Sequence, residues 1–386
     1  MHANHRTYLY LPHQLKKFRK GIYPLYIAHM IRGFVSSLIG FFVPIYFLKI
    51  GFTLPEILWF FSINYYFAAL FSILAGAIGN KVGLKHTMMI SLPLYLIYLL
   101  GIMLLEKNTS VISLYGLAIF GAFISTLYWV PLYSLFARFS SKGKNSANQV
   151  STLLSLRSVA SIIAPFLGGV ISIYFGFEIL FFIAIIILII PIVVLLHSRD
   201  IHPHINFSLK DLVQFFKKHT RLFIMIMLDS FGTFSEEILW PLFVFLILQD
   251  SMSVGIVGSL IGIGTISFTL IIGRIVAKHN YLLIIKISAF MLATSWAFKT
   301  FASGKITIYA ISLLAAMFAI MFSVPLADHT YKTAKKDKNL DEFIVFKQIL
   351  TYFSRLLAVL FTILLVSKLN ISFLLAGLSY LIISIF

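Results

Sequence analysis

The sequence predicts an all-α membrane protein in which twelve transmembrane helices form two six-helix halves, the second a parallel pseudo-repeat of the first. Three observations predict it. Of 386 residues, 60% are hydrophobic and only 11% charged, whereas soluble domains carry about 25% charged residues. The apolar residues gather into runs of roughly 20, the length that crosses a bilayer core as a helix. The second half of the chain also restarts a pattern already present in the first. This composition excludes a soluble enzyme, a nucleic-acid-binding domain and a disordered chain, none of which would lack surface charge to this degree.

Residues 1–21 form a basic tail with Lys16, Lys17, Arg19 and Lys20 and no apolar core. The run that follows is too long for a signal-peptide core and reads as a retained first span. Apolar runs at 22–48, 56–79, 87–105, 111–137, 150–173 and 178–196 make the first half, residues 22–196. A polar linker covers 197–220. Runs at 221–248, 253–277, 281–302, 306–330, 343–367 and 371–386 make the second half, residues 221–386. Backbone polar groups in lipid need partners within their own segment, so the spans are expected to be helices. The last run is short for a bilayer core at about 1.5 Å per residue. The sequence there reads as truncated, or as ending in the interface.

The net charge of +18 comes from 31 Lys and Arg against 13 Asp and Glu. With the N-terminus inside, the inward tail and loops collect most of the cations, among them Lys81, Lys85, Arg138, Lys142, Lys210, Lys278, Lys336 and Lys347. The outward ends hold Lys49, Lys107, Lys299, Lys305 and Lys368, and Arg32, Arg157 and Arg355 fall inside spans. Cytoplasmic loops are enriched in Lys and Arg. The asymmetry therefore places both termini in the cytoplasm and accounts for the basic charge without nucleic acid. The expected location is the plasma membrane, a bacterial inner membrane.

In the linker, Ser208 and Asp211 are spaced as in a capping box. Leu209, Leu212, Val213 and Phe216 share one face, with Lys210, Lys217 and Lys218 elsewhere. The pattern predicts a short amphipathic helix at the inner membrane surface, most simply a connector between halves. There is no cysteine, hence no thiolate chemistry or cysteine-ligated metal. His2, His5 and His13 of the tail read as solvated. No cofactor or metal is expected.

The repeat has a constant register. A shift of 194 residues lays 115–145 on 309–339, with Val130-Pro131-Leu132 on Val324-Pro325-Leu326. A shift of 197 lays Pro44 on Pro241, Gly76 on Gly273 and Lys81 on Lys278. Repeated halves with a shared orientation suit alternating access around a site between them.

After the second run come Gly76, Asn80, Lys81, Gly83 and Lys85. This segment resembles the loop signature of the major facilitator superfamily, glycine–x–leucine–alanine–aspartate–arginine–x–glycine–arginine–lysine, with Asn80 in place of the acid. In that family the acid helps latch the inner gate, so the resemblance implies a latch altered here. In the fifth run, Ala160, Ala164, Pro165, Gly168 and Gly169 resemble the family's antiporter signature, with alanine for both leading glycines. Small residues four apart also permit close helix packing, and proline bends a helix, so packing and an export-linked role stand as equal readings. The fourth-span arginine of proton-coupled exporters has no counterpart in 111–137. The resemblance implies that spans one, four, seven and ten line a cavity and that spans two, five, eight and eleven flank the interface.

Ionisable groups inside spans are candidate functional residues because hydrocarbon makes them costly unless paired or hydrated. His29, Arg32 and Ser36 share a face of span one. Asp229, Glu236 and Glu237 lie in span seven, and Arg157 and Arg355 in spans five and eleven. The 197-residue shift equates Arg32 with Asp229, and the two are expected to pair in one access state. Two readings of these groups stand side by side. In one they are ion pairs that hold or gate the halves. In the other Asp229, Glu236 or Glu237 carries a proton while an arginine binds substrate or tunes the acid. Asn64, Tyr65, Tyr128, Trp129 and Trp240 are candidate polar and aromatic contacts, or else packing and interfacial anchors.

No HExxH, GxSxG or paired-histidine metal motif is present, which argues against a membrane enzyme. No P-loop is present either. The sequence therefore reads as a monomeric secondary transporter of a small solute, working by alternating access in the lipid bilayer. The leading expectation is proton-coupled efflux of an organic or amphiphilic compound, an antiport. The alternatives are uptake of an anionic metabolite by symport, and a non-transporting receptor or assembly factor on the same fold.

Overall fold

A computed structural model describes residues 23–107, 113–139, 145–196, 200–203, 209–276, 280–337 and 339–386. The described residues are almost wholly helical. Eleven helices are long and apolar enough to cross a membrane: Pro24–Lys49, Leu54–Val82, Leu84–Met103, Leu114–Phe139, Gly176–Leu196, Thr220–Leu248, Ser251–Val276, Tyr281–Thr300, Lys305–Lys336, Leu340–Leu364 and Val366–Ile385. The remaining predicted span, the fifth, is the 30-residue helix Asn145–Tyr174. Its first half is rich in Ser, Asn and Gln, and Ser161–Tyr174 is its apolar stretch among the described residues. Large apolar side chains such as Ile163, Phe166, Phe182, Ile189, Phe290 and Leu378 are exposed on the outer faces of the helices, the arrangement of a chain whose solvent is lipid.

Span one breaks into Tyr23–Ile39 and Val43–Lys49. Span seven runs as Thr220–Phe234, a π-helical turn Ser235–Leu239, and Trp240–Leu248. Pro44 and Pro241, which the repeat equates, each occupy the second position of the outer segment. Proline lacks the N–H that would continue the ladder and crowds the preceding turn, so both spans depart from regular α-helix just before the same point.

Span two is capped by Thr53, whose side chain accepts from the Glu56 N–H while Glu56 accepts from the Thr53 N–H at 2.7 Å. Its helix continues through Gly76, Asn80 and Lys81 to Val82, so the segment read as a loop is mostly the last turns of a span. The reversal falls on Gly83 alone, at φ +97°. A glycine is required there, because a Cβ would also collide with the Asp200 carboxylate.

The two six-span halves join mainly through spans five and eight and through spans two and eleven, the four spans that the family resemblance sets at the interface. Spans five and eight meet backbone to backbone: a Cβ at Gly255 would lie 2.6 Å from the Pro165 carbonyl oxygen, and one at Gly169 would lie 3.2 Å from that of Ser251. Gly168 is covered by Leu38 and Phe42 of span one, and Ser37 and Ser161 share a 2.8 Å hydrogen bond. Pro165, Gly168 and Gly169, with the buried Ala164, therefore serve close helix packing.

The linker helix forms over Leu209–Lys218. Its inward face differs from the expected one. Phe215 is buried, Leu212 and Phe216 are half-buried, and Val213 is 57% exposed. Phe215 and His219 pack edge-on to Phe343 of span eleven, which rotates the helix toward the protein and away from the stripe through Val213. Ser208 lies outside the described residues, as does the side chain of Asp211.

Candidate functional site

Three acids in span seven turn to three different neighbours. Glu237 pairs with Arg355 of span eleven at 2.9 Å. Arg355 also donates to the Thr233 hydroxyl at 3.3 Å and stacks 5.8 Å from the ring centre of Tyr65 on span two. Glu236 pairs with Lys299 of span nine. Asp229 accepts a 3.0 Å hydrogen bond from the Tyr380 hydroxyl on span twelve. Consecutive helical residues point about 100° apart, so the adjacent acids Glu236 and Glu237 of the π turn face different neighbours.

Lys299, read from sequence as an outward span end, is fully buried. Its ammonium lies 4.0 and 4.6 Å from the ring centres of Trp296 and Trp240, and Trp240 donates from Nε1 to Ser312 at 2.9 Å. The lysine is thus neutralised by Glu236 and solvated by two indole faces. Trp240 belongs to this box.

On the other half, Arg32 is 6% exposed. Its guanidinium sits 3.9 Å from the ring centre of Tyr128 and 4.5 Å from that of Tyr95. The expected contact with Asp229 is not made in this conformation. Each residue instead turns toward a span of its own half, Arg32 to span three and Asp229 to span twelve. His29 Nδ1 lies 3.4 Å from the Tyr128 hydroxyl and the ring meets Trp129 edge-on. Asn64 donates to the Ala118 carbonyl at 2.8 Å, tying span two to span four. The side chain of Arg157 lies outside the described residues.

The centre between the halves is lined with aromatic and basic groups. Tyr65 and Tyr352 stack across it at 6.4 Å, and the Tyr352 and Ser125 hydroxyls are 3.3 Å apart. Lys347 of span eleven, assigned from sequence to the inner loops, lies inside the protein with its ammonium 4.3 Å from the Tyr133 ring centre on span four. It is within electrostatic range of Asp229 and Arg355. Tyr352 likewise feels Arg32, Arg355 and Glu237. Arg32, Lys347 and Arg355 thus share one region with Asp229 and Glu237.

At the inner ends, Arg138 of span four pairs with the buried Asp341 of span eleven through Nη2, with Nε 3.3 Å from the second oxygen. Phe136 and Tyr331 meet edge-on beside it at 4.8 Å. Lys218 of the linker helix pairs with Asp337 at 2.7 Å. Asn80 is engaged within the fold, Lys81 is exposed and Lys85 is buried. Asp200, from the segment after span six, supplies a carboxylate at the same bend. It accepts from the N–H of Lys85 at 2.8 Å and pairs with His86, while the Leu84 N–H donates to the Ile201 carbonyl at 2.9 Å. The N-terminus of span three, whose N–H groups have no helical partners, is thereby satisfied.

The sequence model of the Major Facilitator Superfamily matches residues 25–341. The chain belongs to the major facilitator superfamily. Among solved structures, the human organic anion transporter MFSD10 (TETRAN) matches with a TM-score of 0.70, over 94% of this chain and 98% of that one, at 12% sequence identity. At that identity the likeness is one of fold. A search of curated proteins finds no sequence match. Membership and fold make the chain a transporter of the secondary type.

Proposed function

We propose that this member of the superfamily is a proton-coupled secondary transporter of a small solute, with Asp229 as the proton-carrying group and the central region between the halves as the solute site. The observation that carries the reading is the difference among the span-seven acids. Glu236 and Glu237 are each held by a cation, and taking up a proton would break an ion pair. Asp229 is hydrogen-bonded to a phenol instead, so it exchanges a proton without dismantling an ion pair. Its charge reaches Lys347 and Arg355 of span eleven, and its protonation state therefore acts on groups that face the other half. A change of charge on one half, felt by packed groups on the other, is what couples a proton to the access equilibrium.

The decisive experiment is transport by purified protein in liposomes, with and without a pH gradient. Gradient-dependent accumulation supports the reading, and solute movement indifferent to the gradient overturns the coupling. The charge distribution further supports a cytoplasmic location for both termini. A cysteine introduced at the exposed Lys336 should resist an impermeant thiol reagent in intact cells, and labelling from outside would reverse the orientation.

A further inference from the structure

We infer that the transported solute is an organic monoanion with a planar apolar body, its acidic group received by Arg32. The inference rests on the reading of the centre as a solute site. Arg32 is nine-tenths buried, yet its Nε and Nη1 have no hydrogen-bond acceptor among the described residues. Arg355 Nε, from the opposite half, is likewise buried without an acceptor. Unsatisfied buried donors are costly, more so when charged, and guanidinium groups match carboxylate, sulfonate and phosphate oxygens in geometry and charge.

The local charge points the same way. Arg355 is offset by Glu237 at 2.9 Å, and Lys347 lies within electrostatic range of Asp229. Arg32 has stacked tyrosines and no carboxylate partner among the described residues. Ring faces attenuate a buried cation without neutralising it. With Asp229 ionised, one negative charge therefore completes the region, and a polyanion would leave it over-neutralised. Tyr128, Trp129 and Tyr133 follow one another along span four, with Trp129 and Tyr133 stacked at 5.5 Å and half-buried. Such a strip accepts a flat apolar body beside the acidic group.

The test is binding to the purified full chain at one fixed pH, read as a shift in thermal unfolding. The probes are naphthalene-2-sulfonate, benzenesulfonate, the neutral naphthalene-2-sulfonamide and a naphthylmethylammonium. The sulfonates should stabilise the protein in a saturable way, and the sulfonamide and the cation should bind at least tenfold more weakly. Arg32→Gln should weaken sulfonate binding tenfold or more, and Arg32→Lys should restore part of it. Where Arg32→Gln fails to fold, the sulfonate–sulfonamide comparison on the unaltered protein decides. Equal binding of sulfonamide or cation, sulfonate binding unchanged in Arg32→Gln, or no binding of either sulfonate overturns the inference. Binding at fixed pH needs no proton gradient. Sulfonate binding without gradient-driven transport would therefore refute the coupling alone, and gradient-driven transport of a neutral or cationic solute would refute the monoanion alone.

Discussion

Glu236 and Glu237 are adjacent in the chain and hold cations on two different spans, Lys299 of span nine and Arg355 of span eleven. Through this single π turn, span seven clamps two neighbours at the level where its proline bends it. The Lys299 pair is the more enclosed of the two, because no part of the lysine is exposed. Removing one partner of a buried pair leaves an uncompensated charge, a loss of about 3–5 kcal/mol. Glu236→Leu should therefore lower thermal stability sharply, and adding Lys299→Met should recover most of the loss. A double variant no more stable than Glu236→Leu would show that the two residues do not act as a pair.

Asp229→Asn should reduce pH-gradient-driven accumulation to the passive level while solute exchange at equal pH persists. The amide keeps the size of the carboxyl and can still accept the Tyr380 hydrogen bond, so the change removes titration more than structure. Glu237→Gln should instead impair exchange itself, because it releases Arg355. Gradient-driven accumulation surviving in Asp229→Asn would move the proton site elsewhere.

The span pattern and the matched positions of Pro44 and Pro241 were legible in sequence, because they follow from local composition and from register, and the spans at the interface were implied by the family resemblance. The partners of the charges were not. Lys299 reads as a span end, since it stands in the last turn of Tyr281–Thr300; helix spacing sets Trp296 beside it, but only the fold brings Trp240 and Glu236 around it. Lys347 was counted with the inner loops, yet span eleven begins at Leu340 and carries it inside. Asp200 lies far in sequence from the span-three N-terminus it satisfies. The Arg32–Asp229 pairing drawn from the repeat is not made in this conformation, because Arg32 rests on Tyr95 and Tyr128 of spans three and four while Asp229 is bonded to Tyr380 of span twelve. Lys299 and Lys347 did carry a signal, a cation within a predicted span range, and a search confined to acids and arginines passes over it.

The Arg138–Asp341 pair joins spans four and eleven on the linker side, which the charge distribution assigns to the cytoplasm. A charge-assisted contact of this kind contributes about 1.5–3 kcal/mol, equivalent to roughly tenfold or more in the access equilibrium. Arg138→Ala should open the inner side. In a Phe136→Cys background, which probes the Phe136–Tyr331 contact, a thiol reagent applied to the inner face should react faster once Arg138 is gone. Equal labelling rates with and without Arg138 would deny the pair a gating role.

Asp337 lies beyond the end of the span-ten helix and carries a pH signature. Burial alone would raise its carboxyl pKa, but hydrogen bonds from Lys218 and the Asn339 N–H, with His219 3.6 Å away, outweigh burial and hold it below the usual carboxylate range. A group whose pKa is depressed by folding adds stability above its unfolded pKa, near 3.9, and loses it as pH falls through the lower folded value. The attachment of the linker helix should therefore weaken only in that acid window. Asp337→Asn should remove this part of the acid dependence and lower stability slightly at neutral pH. An acid limb unchanged by Asp337→Asn would assign the loss to other carboxylates.

The coupling between Arg32 and Asp229 can be separated from that between Arg355 and Glu237 by two double-mutant cycles on thermal stability. Residues in one ion-paired network show interaction energies of about 0.5–3 kcal/mol, whereas separated residues add within about 0.5 kcal/mol. Arg355 and Glu237 are 2.9 Å apart, so Arg355→Ala with Glu237→Ala should be less damaging than the sum of the single changes. Arg32 rests on Tyr128 and Tyr95, while Asp229 is bonded to Tyr380. Arg32→Ala and Asp229→Ala should therefore add in the conformation described here. A coupling in that second cycle comparable to the first would mean that the protein spends most of its time in another access state, one in which the two repeat-equivalent charges meet.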